Sequence, residues 1–304
     1  MVVGAAIDAL AGRLKDLAER DVPIGPLTTY RVGGRAALLA EVRGEADLVT
    51  LLGAVPGLEV PVLVLGKGSN LLVADSGWPG LCVRIGDKLA ALDIEASRVT
   101  AGGGTPYPVL ARRSAAAGLV GMEWAVGIPG SVGGAVRMNA GGHGAETSER
   151  LRSARLVDLR AGSDREVAVG DLHMSYRHSS ISGSEIVVEA VFALEQGDPE
   201  EAEERIGEIV RWRRENQPGG QNAGSVFTNP EGDSAGRLIE EAGLKGLSIG
   251  SASVSAKHAN FIQAEPGGSA DDVRRLAERV REVVRDRLGV ELSVEVQMVG
   301  FDAH

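Results

Sequence analysis

Gly127-Ile-Pro-Gly-Ser-Val-Gly-Gly-Ala-Val-Arg-Met-Asn-Ala-Gly-Gly142 is the stretch on which the fold of this chain turns. Glycine stands at 127, 130, 133, 134, 141 and 142, and only Arg137 and Met138 are bulky. Without Cβ atoms a backbone can approach a large ligand and turn its N–H groups toward it. A flexible linker is also glycine-rich, but it carries Ser, Lys, Glu or Gln where this stretch has Ile128, Val132, Val136 and Met138. The stretch reads as a ligand cradle.

Around it the pattern is α+β. Residues 1–20, with Asp8, Lys15, Asp16 and Glu19 spaced along them, read as an amphipathic helix and not as a signal peptide. Residues 37–42 read as a strand, and 45–55 carry apolar residues at helical spacing. Short β runs at 60–65 and 70–73 flank Gly66-Lys-Gly-Ser, and 81–85 and 99–100 are further strands. Residues 106–117 read as a helix capped by Thr105, with Pro106 in the first position. Residues 155–159, 166–169 and 185–194 are β-like. The character changes near Gly197: 199–215 is a charged helix with acids early and bases late, as the helix dipole favours. Helices at 234–242 and 271–288 and strands at 260–264 and 290–299 follow. The expected division is an N-terminal helix (1–20), a glycine-punctuated domain (21–196) and a smaller α+β domain (197–304).

The chain has 304 residues and a net charge of −10, which disfavours nucleic acid and anionic membrane as partners. No apolar run approaches the ~20 residues of a membrane span, so a cytoplasmic location is expected. Cys82 is the only cysteine, which excludes an internal disulfide; with five scattered histidines, no metal site is expected. Lysine and asparagine are scarce, yet Lys67, Asn70, Asn139, Asn222, Asn229, Lys245, Lys257 and Asn260 all fall in or beside the glycine-rich and polar segments.

Leu65-Gly-Lys-Gly-Ser-Asn-Leu-Leu begins like a dinucleotide fingerprint, but Leu71 stands where the third glycine belongs. A turn, Ser76-Gly-Trp-Pro-Gly, follows instead of a helix, which argues against a doubly wound fold. The backbone donors of 66–70 suit a pyrophosphate, although an ordinary hairpin turn has the same composition. In Ser175-Tyr-Arg-His-Ser-Ser, Arg177 suits either a carboxylate fork or a structural ion pair. Ser225 lies on a glycine-supported bend that lacks the G-x-S-x-G elbow of a nucleophile, so its hydroxyl suits a proton donor or a phosphate ligand. Lys257, His258 and Asn260 cluster ahead of a strand. In 290–299, Leu292, Val294, Val296 and Met298 share one face, and Glu295 lies on the other with Ser293 and Gln297.

In this order the segments resemble the UDP-N-acetylenolpyruvoylglucosamine reductases, flavoenzymes of bacterial cell-wall precursor synthesis. The resemblance rests on Thr29-Tyr-Arg-Val-Gly-Gly, Gly66-Lys-Gly-Ser-Asn-Leu-Leu, Gly127-Ile-Pro-Gly-Ser-Val-Gly-Gly-Ala, Met138-Asn-Ala-Gly and Tyr176-Arg-His-Ser. It continues through Gly224-Ser-Val-Phe-Thr-Asn-Pro, Arg237-Leu-Ile-Glu-Glu-Ala-Gly-Leu-Lys-Gly, Ser255-Ala-Lys-His-Ala-Asn-Phe and the strand of Glu295, covering residues 21–300. It implies a vanillyl-alcohol-oxidase-type (PCMH-type) FAD-binding domain of two α+β halves, then a substrate domain. By the same resemblance the FAD pyrophosphate would lie on Gly66, Lys67, Gly68, Ser69 and Asn70. The flavin would lie against Gly127, Pro129, Gly130, Ser131, Gly133, Gly134, Asn139 and Gly141, with Tyr30 and Arg31 nearby.

The resemblance further implies non-covalent FAD, NADPH as co-substrate, UDP-N-acetylglucosamine enolpyruvate as substrate and action as a monomer. Arg177 would stabilise the substrate carboxylate with Glu295 as its companion, and Ser225 would donate the proton. Lys245 and Lys257 are alternatives for steadying the serine alkoxide, and Asn229, Lys245, Lys257, His258 and Asn260 would contact substrate. The family's usual Glu-Pro-Glu is Ser293-Val-Glu here, and Gln297 stands where a basic residue is common. No tyrosine lies between Arg177 and Ser225, as in the subclass without a tyrosine-bearing lid loop. His143 and Cys82 lie in no covalent-attachment motif. A flavin oxidase would share the cradle without needing Arg177, Ser225 and Glu295 together, and a non-catalytic nucleotide-sugar binder would need no flavin.

Overall fold

Alternation sets the first sheet: in Arg35–Val42 every second residue, Ala36, Leu38, Ala40 and Val42, is buried. The computed structural model describes residues 2–301, which divide into two compact units. The first comprises the described chain up to Asp21, Ala37–Lys67 and Gly80–Arg213; the second comprises Val22–Ala36, Gly68–Pro79 and the described chain from Arg214 onward. The units therefore interleave along the sequence, whereas the boundaries read from sequence pattern fall at 20/21 and 196/197.

The first unit contains two α+β halves. A four-stranded sheet runs in the order Ala18–Pro23, Arg35–Val42, Trp78–Ile85, Val62–Leu65, the last two parallel. Helices Val2–Leu14 and Glu45–Ala54 cover it, adding Leu10, Leu14, Leu48 and Leu51 to one core. An antiparallel five-stranded sheet runs in the order Ser163–Ala168, Leu151–Asp158, Glu185–Ala193, Arg98–Gly102, Leu92–Glu95. Its central strand, Glu185–Ala193, serves both cores: Ile186 and Val188 enter the first, and Val187, Ala190 and Phe192 a second. A β-bulge permits this, because Glu189 opposes Arg155 while Val187 opposes Leu156. Tyr107–Ala116, Val132–Arg137 and Pro199–Asn216 complete the second core; Ala202 and Ile206 of the last helix are buried in it.

The second unit pairs Leu71–Val73 in parallel with Gln297–Val299 and builds a small antiparallel sheet from Ser248–Ile249, Ala252–Val254 and Ile262–Ala264. Helices Ala235–Glu241 and Ala270–Leu288 pack on a core that includes Tyr30, Val32, Leu72, Phe227, Leu276 and Val280.

Four local expectations change. The N-terminal helix ends at Leu14, because Lys15 adopts a left-handed φ of 47° and Ala18–Pro23 joins a sheet instead. Thr105 does not cap the following helix; its hydroxyl donates to the Ala91 carbonyl, and Pro106 is the capping residue. The cradle is not loop throughout, since Val132–Arg137 is a short helix. The expected strand at 290–299 is regular only over Gln297–Val299, and Val294 is 37% exposed although it has the parity of buried Leu292 and Val296.

Candidate active site

In the first unit, the backbone of the cradle is held by other backbone. Val132 N–H donates to the Thr105 carbonyl (2.8 Å), Gly133 N–H to Gly103 (2.9 Å) and Tyr107 N–H to Gly130 (3.0 Å). Ser131 caps the short helix, its Oγ accepting from Gly134 N–H at 3.3 Å. Pro129 lies between the Glu123–Gly127 turn and this helix.

The glycines are required chiefly where chain passes chain. A Cβ on Gly66 would lie 2.6 Å from Ser131 Oγ, one on Gly141 2.6 Å from the Ala145 carbonyl, and one on Gly133 3.1 Å from the Gly103 carbonyl. Gly134 is different, with only Ser131 Oγ at 3.6 Å. The Gly66 loop thus stacks on Ser131. With glycine at 66, 133 and 134 this region carries few large side chains, which fits FAD, a group whose wide flat ring needs close approach of backbone. Lys67 pairs with Asp87 at 2.5 Å, which holds the Asp87 carboxyl below its usual range.

Arg177 stands on a two-residue turn closed by reciprocal 3.0 Å hydrogen bonds between Ser175 and His178. Its φ of 57° is left-handed, an unusual position for a long side chain. The guanidinium lies over the Tyr176 ring (4.7 Å), and Nη2 donates to the Gly141 carbonyl at 2.8 Å, so the arginine is moored to the cradle. Fully buried Asn139 moors the turn as well: Nδ2 donates to the Ser175 carbonyl (2.9 Å) and Oδ1 accepts from Ser148 N–H (3.0 Å). Burial pushes the Cys82 thiol up to about 12, making it a poor nucleophile, and His143 packs edge-on against Trp212 at 5.3 Å.

The second unit brings Ser225 and Glu295 together. Gly224, at φ 79°, provides the bend before Ser225. On one side of the segment Val226 N–H donates to the Asn260 carbonyl (2.9 Å); on the other, Glu295 N–H donates to the Val226 carbonyl (2.8 Å). Phe227 bridges Val294, and Thr228 N–H donates to the Ser293 carbonyl, so Ser225 and Glu295 lie on adjoining extended segments, both half-buried. Asn70 Nδ2 donates to the Glu295 carbonyl (3.3 Å), and Thr29 N–H donates to the Gly68 carbonyl (3.0 Å). Gly68 and Asn70 thereby frame Ser69 from this unit. The Tyr30 side chain is wholly in the core, and Arg31 N–H donates to Thr28 Oγ1 (3.2 Å).

The residues expected to contact substrate have protein partners. Asn229 Oδ1 accepts from Ala235 N–H, Lys245 pairs with Glu240 at 2.7 Å, and Lys257 Nζ donates to the Arg214 carbonyl at 2.6 Å. His258 Nδ1 accepts from Asn260 N–H; burial, then the Lys245 charge, holds its imidazole below the usual range. Asn260 is 3% exposed and spends both amide atoms on Phe227. Residue type alone could not reveal this bracing role of asparagine; the scarcity of Asn outside these segments was its only trace. Asn70, Asn139, Asn222, Asn229 and Asn260 all hold main chain.

Among the described residues, no group of three or more His, Cys, Asp or Glu could hold a metal, and no helix is long and apolar enough to cross a membrane.

A family profile described as an FAD binding domain matches residues 36–167, and one described as UDP-N-acetylenolpyruvoylglucosamine reductase, C-terminal domain, matches 216–299. The UDP-N-acetylenolpyruvoylglucosamine reductase of Rubrobacter xylanophilus is 42% identical over 295 residues, spanning 96% of this chain and 99% of its own. The chain belongs to the UDP-N-acetylenolpyruvoylglucosamine reductase family. Another reductase of that name, from Synechococcus sp. strain WH7803, is 45% identical over 296 residues, covering 93% of this chain and 94% of its own. The crystal structure of the reductase from Thermus caldophilus superposes with a TM-score of 0.81 at 36% identity, covering 93% of this chain and 98% of that one. The fold is therefore the expected one, a PCMH-type FAD-binding domain of two α+β halves with a C-terminal α+β domain. Within the chain, the FAD-binding match contains the cradle, the C-terminal match contains Ser225, Asn260 and Glu295, and Arg177 falls between them.

Proposed function

We propose that this chain reduces the enolpyruvyl double bond of UDP-N-acetylglucosamine enolpyruvate to give UDP-N-acetylmuramate for peptidoglycan synthesis, with FAD bound non-covalently and NADPH as reductant. The observation that carries this reading is that the segments bearing Ser225 and Glu295 adjoin, Glu295 N–H donating to the Val226 carbonyl, in a chain related over its length to UDP-N-acetylenolpyruvoylglucosamine reductases. FAD, when bound, supplies hydride transfer from NADPH to the methylene carbon of the enolpyruvyl group. Arg177 stabilises the negative charge that then spreads into the substrate carboxylate, an effect worth several-fold more where water is excluded. Glu295 shares a proton with that carboxylate, and Ser225 Oγ donates the proton that completes the adjacent carbon. Lys245 or Lys257 provides the cation that steadies the resulting alkoxide, and with Asn229 and His258 they contact the nucleotide sugar. A nucleotide-sugar substrate and a nicotinamide reductant support action in the cytoplasm; that the chain acts as a monomer is part of the same proposal.

Ser225→Ala separates the two half-reactions. Reduction of the flavin by NADPH should keep its normal rate, while reoxidation by substrate slows about 10²-fold or more, the range of a lost general acid. Both steps are read from flavin absorbance by anaerobic stopped flow. Equal slowing of both would remove the serine from the proton-donor role.

A further inference from the structure

We propose that Asn260 is a positioning residue that holds Ser225 in line for proton transfer, and that it does not bind substrate. This rests on the functional reading above. Asn260 makes three hydrogen bonds to the two residues after Ser225: its carbonyl accepts from Val226 N–H (2.9 Å), its Oδ1 from Phe227 N–H (3.0 Å), and its Nδ2 donates to the Phe227 carbonyl (2.8 Å). The side-chain amide takes the place of a neighbouring strand, pairing with both polar groups of Phe227.

The clamp is itself fixed. Asn260 N–H donates to His258 Nδ1 (3.3 Å), Ser255 Oγ accepts from Lys257 and His258 N–H (3.2 and 3.4 Å), and Ser255 N–H donates to the Phe261 carbonyl (2.8 Å). Across the segment, Glu295 N–H holds the Val226 carbonyl. Val226 and Phe227 are each 1% exposed, so no water can replace the amide. Ser225 thus stands at the end of a segment held from both sides, with its hydroxyl-bearing residue immediately before the clamp. A shift of about 1 Å in a reacting group can cost on the order of 10²-fold in rate, so a small relaxation here reaches the chemistry.

The test uses full-length Asn260→Ala, and Asn260→Asp as a near-isosteric second variant that keeps the acceptor for Phe227 N–H but loses the donor to its carbonyl. Substrate affinity is read by titrating the oxidised flavin spectrum, and both half-reactions by stopped flow. We expect reoxidation at saturating substrate to slow roughly 10-fold or more, with substrate affinity within about threefold and reduction by NADPH unchanged. Combining Asn260→Ala with Ser225→Ala should slow reoxidation no further than Ser225→Ala alone, because both act through one hydroxyl. Weakened substrate binding with an undiminished saturating rate, or effects that multiply in the double variant, overturns the proposal. If Ser225→Ala itself leaves reoxidation unchanged, the functional reading fails; if Ser225→Ala is slow and both Asn260 variants are fast, only this inference fails.

Discussion

In the proposed reaction Arg177 carries two demands on one side chain, the Gly141 carbonyl seen in the structure and the substrate carboxylate. Its left-handed backbone and the Gly141 carbonyl fix where the guanidinium starts, and a planar fork can bond a carbonyl and a carboxylate at once. Lysine offers a point charge on a flexible stem, so Arg177→Lys should slow substrate reoxidation of the reduced flavin by about 10²-fold, comparable to losing an oxyanion donor. Reduction by NADPH, measured in the same stopped-flow experiment, should stay normal; a mild effect on reoxidation would leave Arg177 a structural role only. Gly141→Ala makes a related case, since the new Cβ would crowd the Ala145 carbonyl at 2.6 Å and Arg177 Nη1 at 3.0 Å. Gly66, Gly141, Asn139 and Asn260 drew attention in the sequence by rarity or crowding, and in the structure each has close packing or main-chain contacts that residue type alone did not show. Glycine density suggested room for a ligand, yet a Cβ on Gly66 meets Ser131 first, and asparagine suggested ligand contact, yet Asn139 and Asn260 turn both amide atoms to main chain.

Helix Ala270–Leu288 shows how far element-level patterns reach. Its bounds, expected at 271–288, were readable to within a residue; its apolar stripe is Val273, Leu276, Val280 and Val284, and Gly289 at φ 71° ends it. Its N-terminus has a feature that periodicity does not contain: besides Ser269, whose Oγ accepts from Asp272 N–H, the Asp75 carboxylate accepts from the N–H groups of Ala270 and Asp271 and from Ser269 Oγ. A second cap from about 195 positions away makes the helix start depend on the turn after Leu71–Val73. Ser269→Ala should cost about 1 kcal/mol, and Asp75→Ala about 2 kcal/mol because three donors lose an acceptor; urea unfolding measures both. A smaller loss for Asp75→Ala than for Ser269→Ala would mean that solvent serves those donors equally well. The 290–299 segment also departs from local pattern: alternation placed Val294 with Leu292 and Val296, but Val294 makes an isolated bridge with Phe227 outside the regular strand and is 37% exposed.

At the scale of the molecule, the interleaving of the two units has a direct consequence. A local pattern reports which face of an element is apolar and says nothing about which distant segment covers it, so a domain starting at 197 looked complete in sequence. The core of the second unit is not: Tyr30, Val32 and Leu72, at 0%, 3% and 0% exposure, are built into it beside Phe227, Leu276 and Val284. Leu71–Val73 is also the parallel partner of Gln297–Val299. Burying three such side chains contributes roughly 1.5–3 kcal/mol each, which is of the order of the whole stability of a domain, about 5–15 kcal/mol. A fragment of residues 197–304 should therefore lack a cooperative thermal transition by circular dichroism, with its amides exchanging freely. Fusing residues 22–36 and 68–79 to that fragment through flexible linkers should restore a cooperative transition. A fragment that melts cooperatively without them would show that the segments before residue 80 are dispensable to this core.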